Sequence, residues 1–190
     1  MPTFVHMRSA VAATALGITL TLAALSSCAG SHSPVQPPDP NPSLTPMFAS
    51  DEEALAAAEE VYGRYLDVSD SVGASGWNDL SGLESVARDD ALSDATRSAA
   101  EYAAKGWRQV GVTTFDSMVL QQSRDTGAGS IALVVYVCLD VTAADIVDKG
   151  GKSVVSTQRS DRLALEVGMD DLDGALKIDR SETWSGQNFC

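Results

Sequence analysis

The side chains that can carry out chemistry are unevenly distributed along this 190-residue sequence. Both histidines, His6 and His32, precede residue 48, and the three cysteines are Cys28, Cys138 and Cys190. Because residues 48–190 contain no histidine, one chain cannot supply a Ser-His-Asp triad, a Cys-His dyad or a histidine-based zinc site there. The chemistry left to this part of the sequence is that of carboxylate, tyrosine, lysine and arginine side chains.

A cysteine closes a short apolar segment near the N-terminus. Residues 10–25 are mostly Ala, Val, Leu, Ile and Thr, a length typical of a secretory signal and short for a membrane-spanning helix. The following Leu25-Ser26-Ser27-Cys28 resembles the lipobox of bacterial lipoproteins. The resemblance implies a signal peptide over residues 1–27 and a diacylglycerol-modified Cys28, which anchors the protein to the extracytoplasmic face of the cell membrane.

Residues 28–47 are predicted to form a lipidated N-terminus and a tether. The stretch 31–46 contains all but one of the seven prolines, with Ser, Asn and Asp between them. Such a composition buries too little apolar surface to fold. In polyproline form, at about 3.1 Å per residue, it would span roughly 50 Å.

The charge of the sequence excludes one class of partner. The formal net charge is −13, and loss of Arg8 with the signal leaves 12 basic against 26 acidic residues, or −14. This field repels phosphate backbones, so no nucleic-acid partner is expected. The carboxylates lack the spacing of a calcium loop, and residues 169–174 indicate a turn between strands, so we predict no metal site. The sequence contains no phosphate-binding glycine loop, so we predict no cofactor.

The two remaining cysteines predict a disulfide. Once Cys28 is lipidated, Cys138 and Cys190 are left in a protein that has been exported from the reducing cytosol. Their bond would fasten the last residue to a central strand. The wide separation differs from a Cys-x-x-Cys redox pair, so the role is structural.

The elements that position these residues begin with helices. Ser50 or Asp51 can cap a helix to about Asp70, with apolar residues at three- and four-residue steps. A short helix is expected over 80–87. Asp94 is predicted to cap another helix through about Trp107.

After the helices, apolar residues recur at every second position, and this alternation predicts strands. Residues 111–123 and 130–140 read as a hairpin, with 131–139 apolar on both faces and therefore central in the sheet. Residues 141–158 are an irregular excursion or an edge hairpin. One face of the next strand carries Leu163, Leu165, Val167 and Met169, and one face of the last strand is predicted to carry Leu176, Ile178, Arg180, Glu182 and Trp184.

Helices followed by antiparallel strands predict an α+β domain over residues 48–190. A long first helix with Tyr62 and Tyr65, two shorter helices and a curved antiparallel sheet of about four strands resemble the nuclear transport factor 2-like fold. Cys138-Leu139-Asp140 and the ending 184–190 are similar to secreted actinobacterial lipoproteins of this superfamily. The resemblance implies a cone-shaped domain with a pocket between sheet and helices, in a group that includes SnoaL-like and ketosteroid isomerase-like enzymes as well as non-catalytic proteins.

Three functions are compatible with these features. We favour a non-catalytic interaction or accessory domain that binds another envelope protein or a second copy of itself. The alternative is a lipoprotein that binds a small apolar ligand, with Trp77, Trp107 and Trp184 at the entrance. A less favoured alternative is an isomerase-like or cyclase-like enzyme with a carboxylate base in an apolar pocket and a tyrosine donor. Its weak catalytic candidates are Glu182 or Glu166 as base and Tyr62, Tyr65 or Tyr136 as donor.

Overall fold

Helices precede strands in the computed structural model, which describes residues 48–127, 130–172 and 174–190. The helices are α1 (Asp51–Ala74), α2 (Leu83–Val86) and α3 (Asp89–Lys105). The strands are β1 (Arg108–Val110), β2 (Thr114–Gly127), β3 (Ser130–Asp140), β4 (Asp145–Val147), β5 (Arg162–Asp170) and β6 (Lys177–Thr183). This order confirms the predicted α+β class. The predicted signal peptide, Cys28 and the tether lie outside the described residues.

Helix α1 begins with a capping box. Ser50 is the N-cap, and its hydroxyl accepts a hydrogen bond from the backbone N–H of Glu53 at 3.3 Å. The Glu53 carboxylate accepts in turn from the backbone N–H of Ala49 at 2.7 Å. The helix ends at Ala74 rather than near Asp70 as predicted, because Val72 continues the apolar face and is buried.

Helix α3 begins five residues before the predicted cap at Asp94. Its N-cap is Arg88, which makes no capping bond with its side chain. The Arg88 guanidinium instead lies 2.7 Å from the Asp170 carboxylate. The backbone N–H of Arg88 donates to the carbonyl of Ile178. Contacts to β5 and β6 therefore set the start of α3, and local capping signals do not reveal them.

Strand β3 is central in a curved antiparallel sheet of order β2-β3-β5-β6. Its residues Ile131, Leu133, Val135 and Val137 are buried beneath the helices. On α1 the matching residues are Ala54, Ala58, Val61, Tyr62 and Leu66. The predicted central position of residues 131–139 is confirmed.

A second, two-stranded sheet is formed by β1 and β4. The predicted strand over 111–123 is thus replaced by β1, a connection and the longer β2. Asp70 of α1 fixes the connection, since its carboxylate accepts from Gln109 Nε2 at 2.5 Å and from the backbone and hydroxyl of Thr113 at 2.8 and 2.9 Å. Residues 141–158 contribute β4 to this sheet.

A bulge in β6 corrects the predicted face of the last strand. Ile178 pairs with Met169 and is fully buried, whereas Arg180 pairs with Gly168 on the opposite face. Asp179 is the additional residue between them. Ile178 therefore faces the helices, whereas Arg180 and Glu182 face away from them. The prediction that Ile178 shares a face with Arg180 and Glu182 is wrong.

The C-terminal tail, residues 184–190, returns over the sheet surface that the helices leave uncovered. Trp184 donates its backbone N–H to the carbonyl of Ala164 at 2.8 Å. Cys190 then forms a disulfide with Cys138 on β3, with the two Cα atoms 5.6 Å apart. The predicted cysteine pair is thus at bonding distance, and it fastens the tail to the central strand.

Removal of the disulfide should destabilise the domain substantially. The bond closes a loop between residues 52 positions apart, for which chain entropy gives about 4 kcal/mol of stability. We expect the Cys138→Ala/Cys190→Ala variant to lose about 2–4 kcal/mol in urea unfolding monitored by circular dichroism. Chemical reduction of the parent protein is the matched control and should give a similar loss. An unchanged unfolding midpoint in both would contradict a bond that constrains the chain.

Substitution Asp179→Asn should raise the free energy of unfolding at pH 7. Partial burial raises the pKa of Asp179 above its ordinary value of 3.8, and its buried Oδ1 has no hydrogen-bond partner within the described part of the chain. The folded chain therefore holds the proton more tightly than the unfolded chain, and stability is lost as the pH rises through the folded pKa.

The neutral amide avoids that loss, so the gain should be present at pH 7 and disappear below about pH 3. Urea titrations across this pH range measure it. Asp67→Asn, on the exposed surface of α1, is the control and should show no such pH-dependent gain. A variant that is less stable than the parent at pH 7 would contradict the interpretation.

Candidate functional site

Three aromatic side chains meet on the surface of the sheet that faces away from the helices, which we call the outer face. Tyr136 projects from β3, and the tail supplies Trp184 and Phe189. The ring centroid of Tyr136 lies 4.5 Å from that of Trp184 and 5.8 Å from that of Phe189. We call these three residues the aromatic cluster.

The aromatic cluster continues into an exposed apolar residue on β2. Val119 pairs with Tyr136 in the sheet register, so both side chains project from the outer face. Val119 is 53% exposed and Phe189 is 39% exposed. Large apolar side chains with this exposure, grouped around two further rings, are typical of a binding surface.

Two features of the C-terminal tail place it against the outer face of the sheet. A Cβ atom on Gly186 would collide with the indole of Trp184, so the chain folds closely back over that ring only because residue 186 is glycine. The bond of Cys190 to Cys138 then fixes the end of the tail beside the cluster. The aromatic cluster is therefore held in place from both β3 and the disulfide.

A group of charged residues borders the aromatic cluster on β5 and β6. Glu166 pairs with both Tyr136 and Glu182 across the sheet. Arg180 Nη2 lies 3.0 Å from Glu166 Oε1, which offsets the repulsion between the two facing carboxylates. Desolvation and the neighbouring Glu166 raise the pKa of the Tyr136 hydroxyl, so this hydroxyl stays protonated and acts as a hydrogen-bond donor.

A second charged group lies at the other end of the outer face. Both Asp116 carboxylate oxygens accept from Arg162 Nη2 at 2.7 Å, and Asp140 accepts from Arg162 Nη1 at 3.1 Å. The Arg162 hydrogen bonds lower the pKa of Asp116. A hydrogen bond from Thr142, supported by Arg162, lowers the pKa of Asp140. These side chains stay charged at neutral pH and form a polar rim.

The predicted catalytic residues do not assemble into one pocket. Tyr62, a residue of α1, lies in the core between this helix and the sheet, with its ring 5.1 Å from that of Phe115. Burial raises the pKa of its hydroxyl. Tyr65 is its neighbour on α1. The proposed bases Glu166 and Glu182 lie on the outer face, so the sheet separates them from both helical tyrosines.

Of the predicted donors, Tyr136 is the one that lies beside a predicted base. Glu182 is exposed, and Glu166 is paired with Arg180. An isomerase-like mechanism requires its base in an apolar pocket, and neither carboxylate has that environment. The space between α1 and the sheet is instead occupied by side chains with under 2% exposure, which include Tyr62, Leu133, Val135, Val167 and Met169.

The three tryptophans do not line one entrance as predicted. Trp77 and Trp107 lie on the helical side, where both contact Tyr102 at centroid distances of 5.0 and 5.5 Å. Trp184 belongs to the outer face. The tryptophans therefore mark two separate regions of the domain.

The acidic residues near the turn between β5 and β6 have structural partners. Asp170 pairs with Arg88, and the buried Asp171 carboxylate accepts from the backbone N–H of Ile131 at 2.5 Å. Within residues 48–127, 130–172 and 174–190, no group of three or more His, Cys, Asp or Glu side chains is arranged to hold a metal ion. The same ranges contain no helix that is both long and apolar enough to cross a membrane.

The sequence indicates Tyr136, Glu166 and Glu182 as candidates, but it does not predict that they lie beside Val119 and Phe189 on one face of the sheet. The bulges in β2 and β6 shift the pairing, and alternation along one strand does not reveal such shifts. The available signal was the pair of aromatic residues within the last seven positions, beside a cysteine predicted to bond to β3. That bond alone places Phe189 near Tyr136.

Comparisons with known proteins show distant similarity to two solved structures. The chain is similar to the intermembrane space region of the chloroplast protein ARC6, with 14% identity and a TM-score of 0.42, over 70% of this chain and 97% of that one. It is also similar to a periplasmic fragment of TraM, with 10% identity and a TM-score of 0.44, over 73% of this chain and 100% of that one. No protein-family model matches the sequence, and no curated protein matches it significantly.

Proposed function

We propose that this protein is a lipid-anchored, extracytoplasmic interaction domain without catalytic activity, which binds another envelope protein through the outer face of its sheet. The observation that carries the proposal is the aromatic cluster, in which Phe189 is exposed and Tyr136 and Trp184 are half-buried, held in a fixed arrangement by the Cys138–Cys190 bond. Tyrosine and tryptophan are the residue types most enriched at the centres of protein interfaces. A preorganised surface of this kind loses little entropy on binding.

The arrangement of the outer face supports binding of a protein. An apolar centre formed by Val119, Phe189 and two larger rings lies between the Arg180–Glu166 pair and the Arg162 group. An apolar centre with a polar rim is the usual anatomy of a protein interface. The hydroxyl of Tyr136 and the carboxylate of Glu182 add directional polar groups.

Charge favours a different protein over a second copy of this chain. The formal net charge of −13 makes two copies repel each other. The Glu182 carboxylate has no ionic or hydrogen-bond partner among the described residues and lies beside the cluster. A partner with an apolar depression and basic residues at its edge fits this surface.

The extracytoplasmic location and the anchor rest on separate observations. The sequence Leu25-Ser26-Ser27-Cys28 supports lipidation, and the disulfide supports an oxidising compartment. Three helices before a four-stranded antiparallel sheet support assignment to the nuclear transport factor 2-like fold. These features together support a domain held near the membrane by its N-terminus.

Substitution Cys28→Ala should abolish lipid attachment. Cells grown with an alkyne-labelled fatty acid should incorporate the label into the parent protein and leave the variant unlabelled and at precursor size, because the modified thiol is absent. Ser26→Ala is the control and should keep both label and processing. A variant that retains the label would contradict an anchor at Cys28.

A photo-crosslinking residue placed at Val119 tests the partner surface. In intact host cells, we expect irradiation to produce one predominant heterotypic adduct. The same residue placed at Val112, which is 56% exposed but lies between β1 and β2, is the matched control and should not produce that adduct. Phe189→Asp should reduce the Val119 adduct at least tenfold, because it puts a charge into the apolar centre.

Two results would overturn the proposed surface. Adducts of equal identity and yield from Val119 and Val112 would mean that contact is non-specific. An adduct of twice the mass of this chain would instead assign the outer face to self-association. Circular dichroism of the Phe189→Asp protein shows whether its fold is retained.

A further inference from the structure

Basic residues gather at one end of the domain. The segments 102–115 and 149–160 contain five basic residues and no acidic one, although the chain after the predicted signal carries 26 acidic against 12 basic residues. Arg159 serves the fold, since its guanidinium donates to two backbone carbonyls at 2.9 and 3.0 Å. The other four, which we call the basic edge, are Lys105, Arg108, Lys149 and Lys152.

The second sheet brings the two segments together. Arg108 of β1 pairs with Val147 of β4, which leads directly into the turn 148–152. Lys149 of this turn lies over the backbone of Gly106, where a Cβ atom would collide with Lys149 Cε. Gly106 also ends α3 in the left-handed conformation, with φ 69°. The end of α3 and the turn therefore present their basic side chains at one place.

The side chains of the basic edge are available to a partner. All four residues are exposed, and none of them forms an ion pair within the described part of the chain. The ammonium group of Lys105 lies 4.3 Å from the ring centroid of the half-buried Trp107. A tryptophan beside lysines is typical of the membrane–water interface, where the indole lies at the level of the headgroups.

Three acidic residues adjoin the basic edge in the chain, and two of them are engaged locally. The Asp148 carboxylate accepts from two backbone N–H groups of the turn 148–152 at 2.8 and 3.0 Å. Asp145 accepts from the Ser153 hydroxyl at 2.9 Å. With Glu101 of α3, this end has four basic against three acidic residues, and the rest of the chain after the predicted signal has 8 against 23. Charge is therefore distributed asymmetrically over the domain.

This asymmetry orients the domain beside a negatively charged surface. Anionic headgroups attract the basic edge and repel the acidic remainder. The net charge would keep a free chain away from such a membrane, but an anchor at Cys28 holds the domain there at high effective concentration. A lipid chain together with a basic patch is a known combination for stable membrane attachment.

The predicted tether is long enough for this contact. Helix α1 begins beside the tether, and its 24 residues span about 36 Å. The far end of α1 lies near Trp107, because a Cβ atom on Gly76 would be 3.7 Å from the Trp107 carbonyl oxygen. Fully extended, the tether spans roughly 50 Å, which exceeds the length of the helix.

We propose that the basic edge docks on anionic phospholipid headgroups of the membrane that carries the anchor, with Trp107 at headgroup level. The proposal rests on the lipid anchor of the proposed function, and it adds a second contact that sets the orientation of the domain. Trp107 lies on the helical side, whereas Trp184 belongs to the outer face. The docked domain therefore leaves the aromatic cluster accessible to a protein partner.

The lysines of residues 28–190 report this contact, because Lys105, Lys149 and Lys152 belong to the basic edge and Lys177 lies on β6. The oxidised chain is coupled through the Cys28 thiol to a maleimide lipid, so the test depends neither on lipidation in the host nor on a partner. Acetylation rates of the individual lysines are measured by mass spectrometry on phosphatidylcholine vesicles with and without roughly one-third phosphatidylglycerol.

We expect the anionic vesicles to slow acetylation of the three edge lysines by about threefold relative to neutral vesicles, because the headgroups cover them and stabilise their charged form. Acetylation of Lys177 should be the same on both. The difference should disappear at about 1 M sodium chloride, where the screening length falls to about 3 Å.

Variants of equal charge separate the basic edge from net charge. In Lys149→Gln/Lys152→Gln, Lys105 should be acetylated at the same rate on both kinds of vesicle. Arg64→Gln/Arg124→Gln removes two exposed basic side chains from α1 and β2, and this matched control should keep the slowing at Lys105. Circular dichroism shows whether each variant is folded, and the comparison of Lys105 with Lys177 in the parent needs no variant.

Three outcomes would overturn the proposal. The first is equal acetylation of the edge lysines on anionic and neutral vesicles. The second is equal slowing at Lys177, which would mean that the surface acts on the whole domain. The third is loss of the slowing in both double variants, which would assign it to net charge. A failure of host lipidation at Cys28 or of the Val119 adduct appears in the experiments on the proposed function and leaves these rates unchanged.

Discussion

The bond between Cys138 and Cys190 is the constraint on which the arrangement of the outer face depends. Cys138 is fully buried in the central strand, and Cys190 is the last residue of the chain. Without that link, the tail after β6 has one backbone hydrogen bond to the sheet, from Trp184 to Ala164, among the contacts described. The bond thus holds residues 184–190 as part of the surface of the sheet.

The sheet divides the domain into two sides with different physical character. On the helical side, Tyr62 and the apolar residues of β3 form a closely packed core, and a small cavity remains farther out between α1 and α3. On the outer face, apolar rings lie in an open setting between ion pairs. The outer face and this cavity are therefore separate features of the domain.

The features that the sequence predicted correctly depend on local patterns or on counting. Two cysteines left after Cys28 predict one bond, and an apolar run over 131–139 predicts a central strand. The features that it did not predict depend on residues far apart in the chain. Arg88 starts α3 through Asp170, 82 positions away, and the bulge at Asp179 moves Arg180 and Glu182 to the opposite face. Alternation along β5 places Glu166 opposite Leu165 and Val167, but only the packing of α1 on the face of those apolar residues separates Glu166 from Tyr62.

We propose that a partner covers the outer face when the protein is in its native membrane. Hydroxyl-radical footprinting, performed on host cells and on the purified protein, measures this directly from the oxidation rates of individual side chains. If a partner covers the outer face, Val119 and Phe189 should be oxidised several times more slowly in cells, while the exposed Leu172 and Val112 should react alike in both samples. Equal rates at Val119 and Phe189 in the two samples would contradict it.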